Sequence, residues 1–142
     1  MAVEFVDVNF IINVIIVVAL GSLIGLEREH REDKTMVIAG VRTFPLTSLS
    51  GLIFSFLSAN VGLALIEVGV IIFGGFALIL AFLKYEVHTI GITTPVALFI
   101  TFLIGIMVEQ GFIFEAAFVA ILITVLLLTK KRLHNIARKL GE

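Results

Sequence analysis

The amino-acid sequence predicts an all-α membrane protein, a polytopic bundle of about five transmembrane helices. Hydrophobic residues make up 60% of the 142 residues and charged residues only 15%, against roughly 45–50% and about 25% in an ordinary soluble domain. The mean hydropathy is +1.20. The apolar residues form long runs and do not alternate with polar ones as they would in a barrel strand. This composition excludes a normal soluble enzyme and a nucleic-acid-binding protein.

Five apolar runs predict the five helices, because a bilayer core needs roughly 20 apolar residues per helix. They cover residues 8–26, 44–59, 61–83, 94–108 and 112–129. The second and third runs meet at a short turn around residues 60–62, and the fourth and fifth are separated only by residues 109–111. Both separators contain a glycine, which is typical of a tight turn. Pro45 and Pro95 stand at matching places near the start of the second and fourth runs, where a missing backbone N–H costs little.

The positions of the basic residues predict the orientation. Of the ten lysines and arginines, four lie in the first loop, one in the third loop and five after the last run. Five crossings place all of them on one side, and Lys and Arg are concentrated in cytoplasmic loops. We therefore expect the N-terminus outside and the C-terminus inside. Residues 1–129 would form the membrane domain, and residues 130–142 a basic amphipathic tail on the anionic inner leaflet.

Small and polar residues recur at helical spacing within the runs. Gly21 and Gly25 form a GxxxG step in the first, Ser48 and Ser55 share one face of the second, and Thr101 lies on a similar face of the fourth. Helices in lipid pack closely through such residues, so close packing is the first interpretation. The alternative is a hydrophilic path or ligand cleft lined by Ser48, Ser55 and Thr101.

Acidic residues suggest two further features. Glu67, Glu109 and Glu115 are expected at the outer face, where no basic residue accompanies them, and carboxylate oxygens suit a hard cation such as Mg²⁺. A metal site is one hypothesis, and solvated interfacial carboxylates are the alternative. On the inner side Glu27 directly follows the first apolar run. A carboxylate at the bilayer edge needs a partner, so we expect an ion pair with Arg42.

Enzymatic activity is not predicted. The sequence contains no nucleophile–base constellation, P-loop or dinucleotide-binding fingerprint. It also contains no cysteine, which removes disulfides and thiolate metal sites.

Four blocks in order resemble the MgtC/SapB family of bacterial and archaeal membrane proteins. They are GSLIGLER at 21–28, AGVRT at 39–43, GVIIFGG at 69–75 and GITT at 91–94. The resemblance extends over about residues 15–129 and implies a multi-helix membrane domain. Some members carry an additional soluble C-terminal domain, and we expect only the transmembrane domain here. The motif residues that the resemblance marks as functional are Gly21, Gly25, Glu27, Arg28, Gly40, Arg42, Thr43, Gly91, Thr93 and Thr94.

The resemblance implies a protein of the inner or plasma membrane that takes part in magnesium or ion homeostasis, as a cation transporter or a sensor. Mg²⁺ is the ion that it suggests. The alternative is a non-transporting regulatory subunit that packs against another membrane complex such as an F-type ATP synthase. Beyond the surrounding lipids, we expect a homo-oligomer. Gly21 and Gly25 would let two backbones approach, and a two-fold dimer is the commonest symmetric form.

Overall fold

The computed structural model describes residues 8–31, 39–86 and 92–140, and these residues form five α-helices. The helices are α1 (Val8–Arg31), α2 (Thr43–Val61), α3 (Leu65–Glu86), α4 (Thr93–Glu109) and α5 (Ile113–Leu140). No strand occurs among the described residues. The predicted all-α class is confirmed, and each helix contains most of one predicted apolar run.

Two tight turns join the helices at one end of the bundle. Gly62 ends α2 with a φ of 70°, and its N–H donates to the Ser58 carbonyl at 3.1 Å. Gly111 lies between α4 and α5 with a φ of 89°. Glycine is favoured at a positive φ because it lacks a Cβ atom. Both predicted turns are therefore confirmed.

The middle of the bundle is the pair α2 and α4, which run in the same direction. α4 contacts all four other helices. α1 is antiparallel to α2, since the Phe10 and Phe56 rings lie 4.7 Å apart near one end and Gly21 lies against Pro45 near the other. α3 is antiparallel to α4, since Gly69 lies against Phe102 and the later residue Gly74 lies against the earlier residue Phe99.

The first four helices form two similar hairpins, α1–α2 and α3–α4. α2 and α4 each begin with a threonine and carry a proline, Pro45 or Pro95, as the third residue. α1 contacts α2 and α4, and α3 likewise contacts α4 and α2. Exchanging the two hairpins therefore leaves this set of helix contacts unchanged. α5 has no counterpart, and it contacts α1 and α4.

Three helices of the described part are long and apolar enough to cross a membrane, over Val8–Glu29, Thr43–Val61 and Leu65–Leu83. The apolar helices Thr93–Glu109 and Ile113–Thr129 are shorter. α4 has 17 residues, about 25 Å at 1.5 Å per residue. It is surrounded by the other helices, so it does not need the length of a helix that faces lipid on all sides. α5 continues unbroken to Leu140, so the predicted boundary at residues 129 and 130 falls inside one helix.

Candidate functional site

Seven polar or charged side chains are buried in the described part of the bundle. They are Glu27, Arg28, Thr47, Ser48, Ser55, Thr94 and Thr101. All seven belong to α1, α2 and α4, the helices that meet at the centre. We call this group the buried polar line.

Three members of the line were predicted as possible cleft residues, and the structure brings them to the central helices. Ser48, Ser55 and Thr101 are each 0% exposed. The Ser48 hydroxyl donates to the Val17 carbonyl at 2.7 Å, across the α1–α2 interface. The Thr101 hydroxyl donates to the Ala97 carbonyl at 2.7 Å, and the Ser55 hydroxyl accepts a hydrogen bond from Gln110 at 3.1 Å. This placement agrees with close packing rather than with an open cleft.

Two glycines bring the backbones of α2 and α4 into contact. A Cβ atom added to Gly51 would overlap the carbonyl oxygen of Phe102, and one added to Gly105 would overlap that of Ser48. Because both obstacles are backbone atoms, neighbouring side-chain rotations cannot make room. The buried polar line is therefore closed in its middle.

We expect Ser48→Ala to destabilise the bundle by about 1 kcal/mol, because it removes one interhelical hydrogen bond. Thr101→Val is the matched control, since the Thr101 hydroxyl bonds only within its own helix. Thermal unfolding in mild detergent, followed by circular dichroism, measures both. A larger loss from Thr101→Val than from Ser48→Ala would contradict the assignment of Ser48 to helix pairing.

The glycines of α1 pack against other residues of the same chain. A Cβ on Gly21 would lie 2.7 Å from Cα of Pro45, and one on Gly25 would lie 2.9 Å from Cα of Val41. The GxxxG step therefore packs against the start of α2 and the segment before it. The prediction that Gly21 and Gly25 form the self-association surface is wrong for this reason. Gly40 is also buried there, and its carbonyl accepts the Thr43 N–H at 3.0 Å.

Glu27 and Arg28 are buried where α1 meets this segment, at 8% and 9% exposure. Oε1 of Glu27 and Nε and Nη2 of Arg28 are shielded from solvent, and both residues interact with their surroundings. The neighbouring Glu29 accepts a hydrogen bond from the Val41 N–H at 3.0 Å. This bond ties the segment to α1.

The predicted ion pair between Glu27 and Arg42 is wrong. Arg42 is exposed at the N-cap of α2 and makes no side-chain capping bond. No ion pair joins it to Glu27 in the part of the chain that the structure describes. Arg28 is buried at this end instead, because the residues after Gly25 continue α1 into the packed interface.

The remaining motif residues lie at the starts of α2 and α4. Thr43 is half-buried as the first residue of α2, Thr94 is buried, and Thr93 is exposed. Gly91 lies outside the described residues. The structure thus places most of the motif residues in the C-terminal half of α1 and at or just before the starts of α2 and α4.

At the opposite end, α4 is held to both α1 and α2. Asn13 donates to Oε2 of Glu109 at 3.1 Å, and Gln110 donates to Ser55. No role was predicted for Asn13 or Gln110 from the sequence. The position of Asn13 inside an apolar run was the available signal for the first, since a polar side chain in a membrane helix is expected to find a partner.

The three carboxylates predicted as metal ligands are not brought together. Glu67 and Glu115 are exposed in the first turns of α3 and α5, where a carboxylate interacts favourably with the helix dipole. Glu109 instead faces Asn13. Among the residues described, no three His, Cys, Asp or Glu side chains are placed to hold a metal ion. The predicted Mg²⁺ site does not fit a single chain.

A comparison with models of protein families matches residues 14–136 to the MgtC family. This range includes every residue of the buried polar line. Asn13, which is not part of the line, lies just before the range. No curated protein and no solved structure gave a match.

Proposed function

The chain belongs to the MgtC family of membrane proteins, which links it to magnesium homeostasis in general, and from this premise we propose that it acts as a membrane-embedded sensor or regulator. In this role it does not conduct a cation through its own bundle. We place it in the inner or plasma membrane with five crossings, the N-terminus outside and the C-terminus inside, as the ten basic residues favour.

The close crossing of α2 and α4 carries this proposal. A path along the buried polar line would pass between Gly51 and Gly105, where even one methyl group would overlap backbone atoms. The hydroxyls of Ser48 and Thr101 donate to backbone carbonyls, so both side chains take part in the packing of the helices. Such close packing favours a protein that acts through contacts at its surface over one that conducts ions through its interior.

Exposed apolar faces supply the surface that such a regulator needs. Large side chains on α3 and α5 point away from the core, for example Ile71, Leu78 and Phe114. Such faces suit lipid and the transmembrane helices of a larger complex equally well. An F-type ATP synthase is the first partner to test by co-purification from membranes.

We expect purified protein in proteoliposomes to show no Mg²⁺ flux above that of empty liposomes. A Mg²⁺-sensitive dye inside the vesicles measures the flux, and an added ionophore confirms that the dye responds. Flux that increases with the amount of protein would contradict the proposal.

The second candidate is cation transport, and the polar contacts at the far end of α4 favour it. Gln110, which donates to Ser55 of the buried polar line, and the pair Asn13 and Glu109 continue the polar contacts to the bundle surface. In this case Asn13→Leu should abolish flux by removing the partner of Glu109. A flux that Asn13→Leu leaves unchanged would exclude this route.

A further inference from the structure

The end of the bundle at which α1, α3 and α5 begin is acidic. Within the described residues, the carboxylates of Glu67, Glu109 and Glu115 lie there. Every lysine and arginine that the structure describes lies towards the opposite end. In the orientation proposed above, the acidic end faces outside. Its charge therefore favours the approach of a cation from that side.

Glu109 differs from the other two carboxylates in its position on its helix. Glu67 and Glu115 are exposed in the first turns of α3 and α5, where the helix dipole favours a negative charge. Glu109 is the last residue of α4, where the negative end of the dipole disfavours a carboxylate and favours a cation. Glu109 is also half-buried, so salt screens its charge less than that of an exposed group. A bound cation would relieve this unfavourable placement.

The partner of Glu109 is the side-chain amide of Asn13 on α1. Its Nδ2 donates to Oε2 of Glu109 at 3.1 Å. An uncharged amide satisfies a hydrogen bond but does not neutralise the carboxylate. The same amide carries an acceptor oxygen beside its nitrogen, and a half-turn about the Cβ–Cγ bond exchanges the two atoms. An amide oxygen of α1 and a carboxylate oxygen of α4 would then face each other.

The spacing of these two atoms suits a small divalent cation. Mg²⁺ binds its oxygen ligands octahedrally at about 2.0–2.1 Å, so neighbouring ligand oxygens lie about 2.9 Å apart. The 3.1 Å between Nδ2 of Asn13 and Oε2 of Glu109 is close to this separation. Mg²⁺ usually keeps several waters and takes only one or two carboxylates from a protein. Both side chains are half-buried rather than enclosed, so water can supply the remaining ligands.

We propose that Glu109 and Asn13 form a binding site for a divalent cation, with Mg²⁺ as the ion, at the outer end of the contact between α1 and α4. The inference rests on the proposed function and names the sensing group of that function. It is not the three-carboxylate site predicted from the sequence, because Glu67 and Glu115 take no part. The cation joins α1 to α4 in place of the hydrogen bond, so its binding changes how firmly the two helices are held together.

Thermal unfolding in mild detergent tests the site, because a ligand that binds the folded state raises the unfolding temperature. We expect millimolar MgCl₂ to raise it relative to NaCl of the same ionic strength. Glu109→Gln removes the charge but keeps an acceptor oxygen for Asn13, and it should abolish this increase. Glu115→Gln is the matched control, since it removes an acidic charge at the same end, and it should keep the increase. No increase in the natural chain, or equal increases in both variants, would overturn the proposal.

Asn13→Asp separates a cation site from a purely structural hydrogen bond. Without Mg²⁺ the new carboxylate repels that of Glu109, so the unfolding temperature should fall. With Mg²⁺ it is a stronger ligand than an amide, so the Mg²⁺-dependent increase should exceed that of the natural chain. A loss that Mg²⁺ does not reverse would contradict the proposal. The flux experiment remains a separate test, because a chain without Mg²⁺ flux and without Mg²⁺-dependent stabilisation would lack this site and could still be a regulator.

Discussion

Gly105→Ala is expected to prevent stable folding of the bundle. The new Cβ would overlap the Ser48 carbonyl oxygen and lie 2.8 Å from the Leu52 nitrogen. Since these are backbone atoms of α2, the two central helices would have to separate. Overpacking of a well-packed core costs typically 1–3 kcal/mol and occasionally more, and we expect at least about 3 kcal/mol here.

Gly74→Ala is the matched control for this experiment. It is also a helical glycine, but its Cβ would meet only the Phe99 ring at 3.6 Å, an ordinary contact. We expect it to leave stability unchanged or to raise it by about 0.5–1 kcal/mol, because alanine favours the helix. Circular dichroism during heating in mild detergent gives both values. Similar unfolding temperatures for the two variants would show that α2 and α4 do not cross at these glycines.

Arg28→Met is expected to destabilise the protein far more than Arg42→Met. Arg28 is buried and interacts with its surroundings, so its replacement removes those interactions and should cost more than about 1 kcal/mol. Arg42 is exposed, so its replacement should change the free energy of unfolding by less than about 0.5 kcal/mol. Methionine keeps part of the side-chain volume, so the comparison reports mainly the charge.

The readout for the arginine pair is the yield of monodisperse protein after mild heating, measured by size-exclusion chromatography. The family resemblance marks both arginines, and Arg42 was the predicted partner of Glu27. The opposite ranking, with Arg42→Met the more damaging change, would mean that Arg42 makes a stabilising contact and is not simply exposed.

The fold was predictable from sequence because run length and turn chemistry are local properties. The five apolar runs and the glycines at positions 62 and 111 determine where helices begin and end. Which helix faces pack together, in contrast, depends on residues far apart in the sequence. A GxxxG step indicates that something approaches closely, but it does not distinguish the start of α2 from a second chain. Gly21 and Gly25 illustrate this, since they contact the chain's own residues.

The polar residues of the candidate site were predictable from the sequence, but their contacts were not. Ser48, Ser55 and Thr101 were recognised from their spacing, and all three are buried. Which arginine enters the interface depends on the path of residues 39–42, and no periodic pattern describes that path. α3 is apolar on all sides, so the sequence contains no polar stripe that would identify its lipid-facing side.

The short, enclosed α4 has an electrical consequence. Its ends are about 25 Å apart by helix length, while the hydrocarbon layer of a bilayer is about 30 Å thick. Where water reaches both ends of α4, the membrane voltage falls over a shorter distance than through the surrounding lipid, so the electric field along this helix is stronger. Moving one elementary charge across a voltage of 100 mV takes about 2.3 kcal/mol. Glu109 is the last residue of α4 and so lies at the edge of this field, and a change in membrane potential does work on its carboxylate only when the carboxylate moves along the helix.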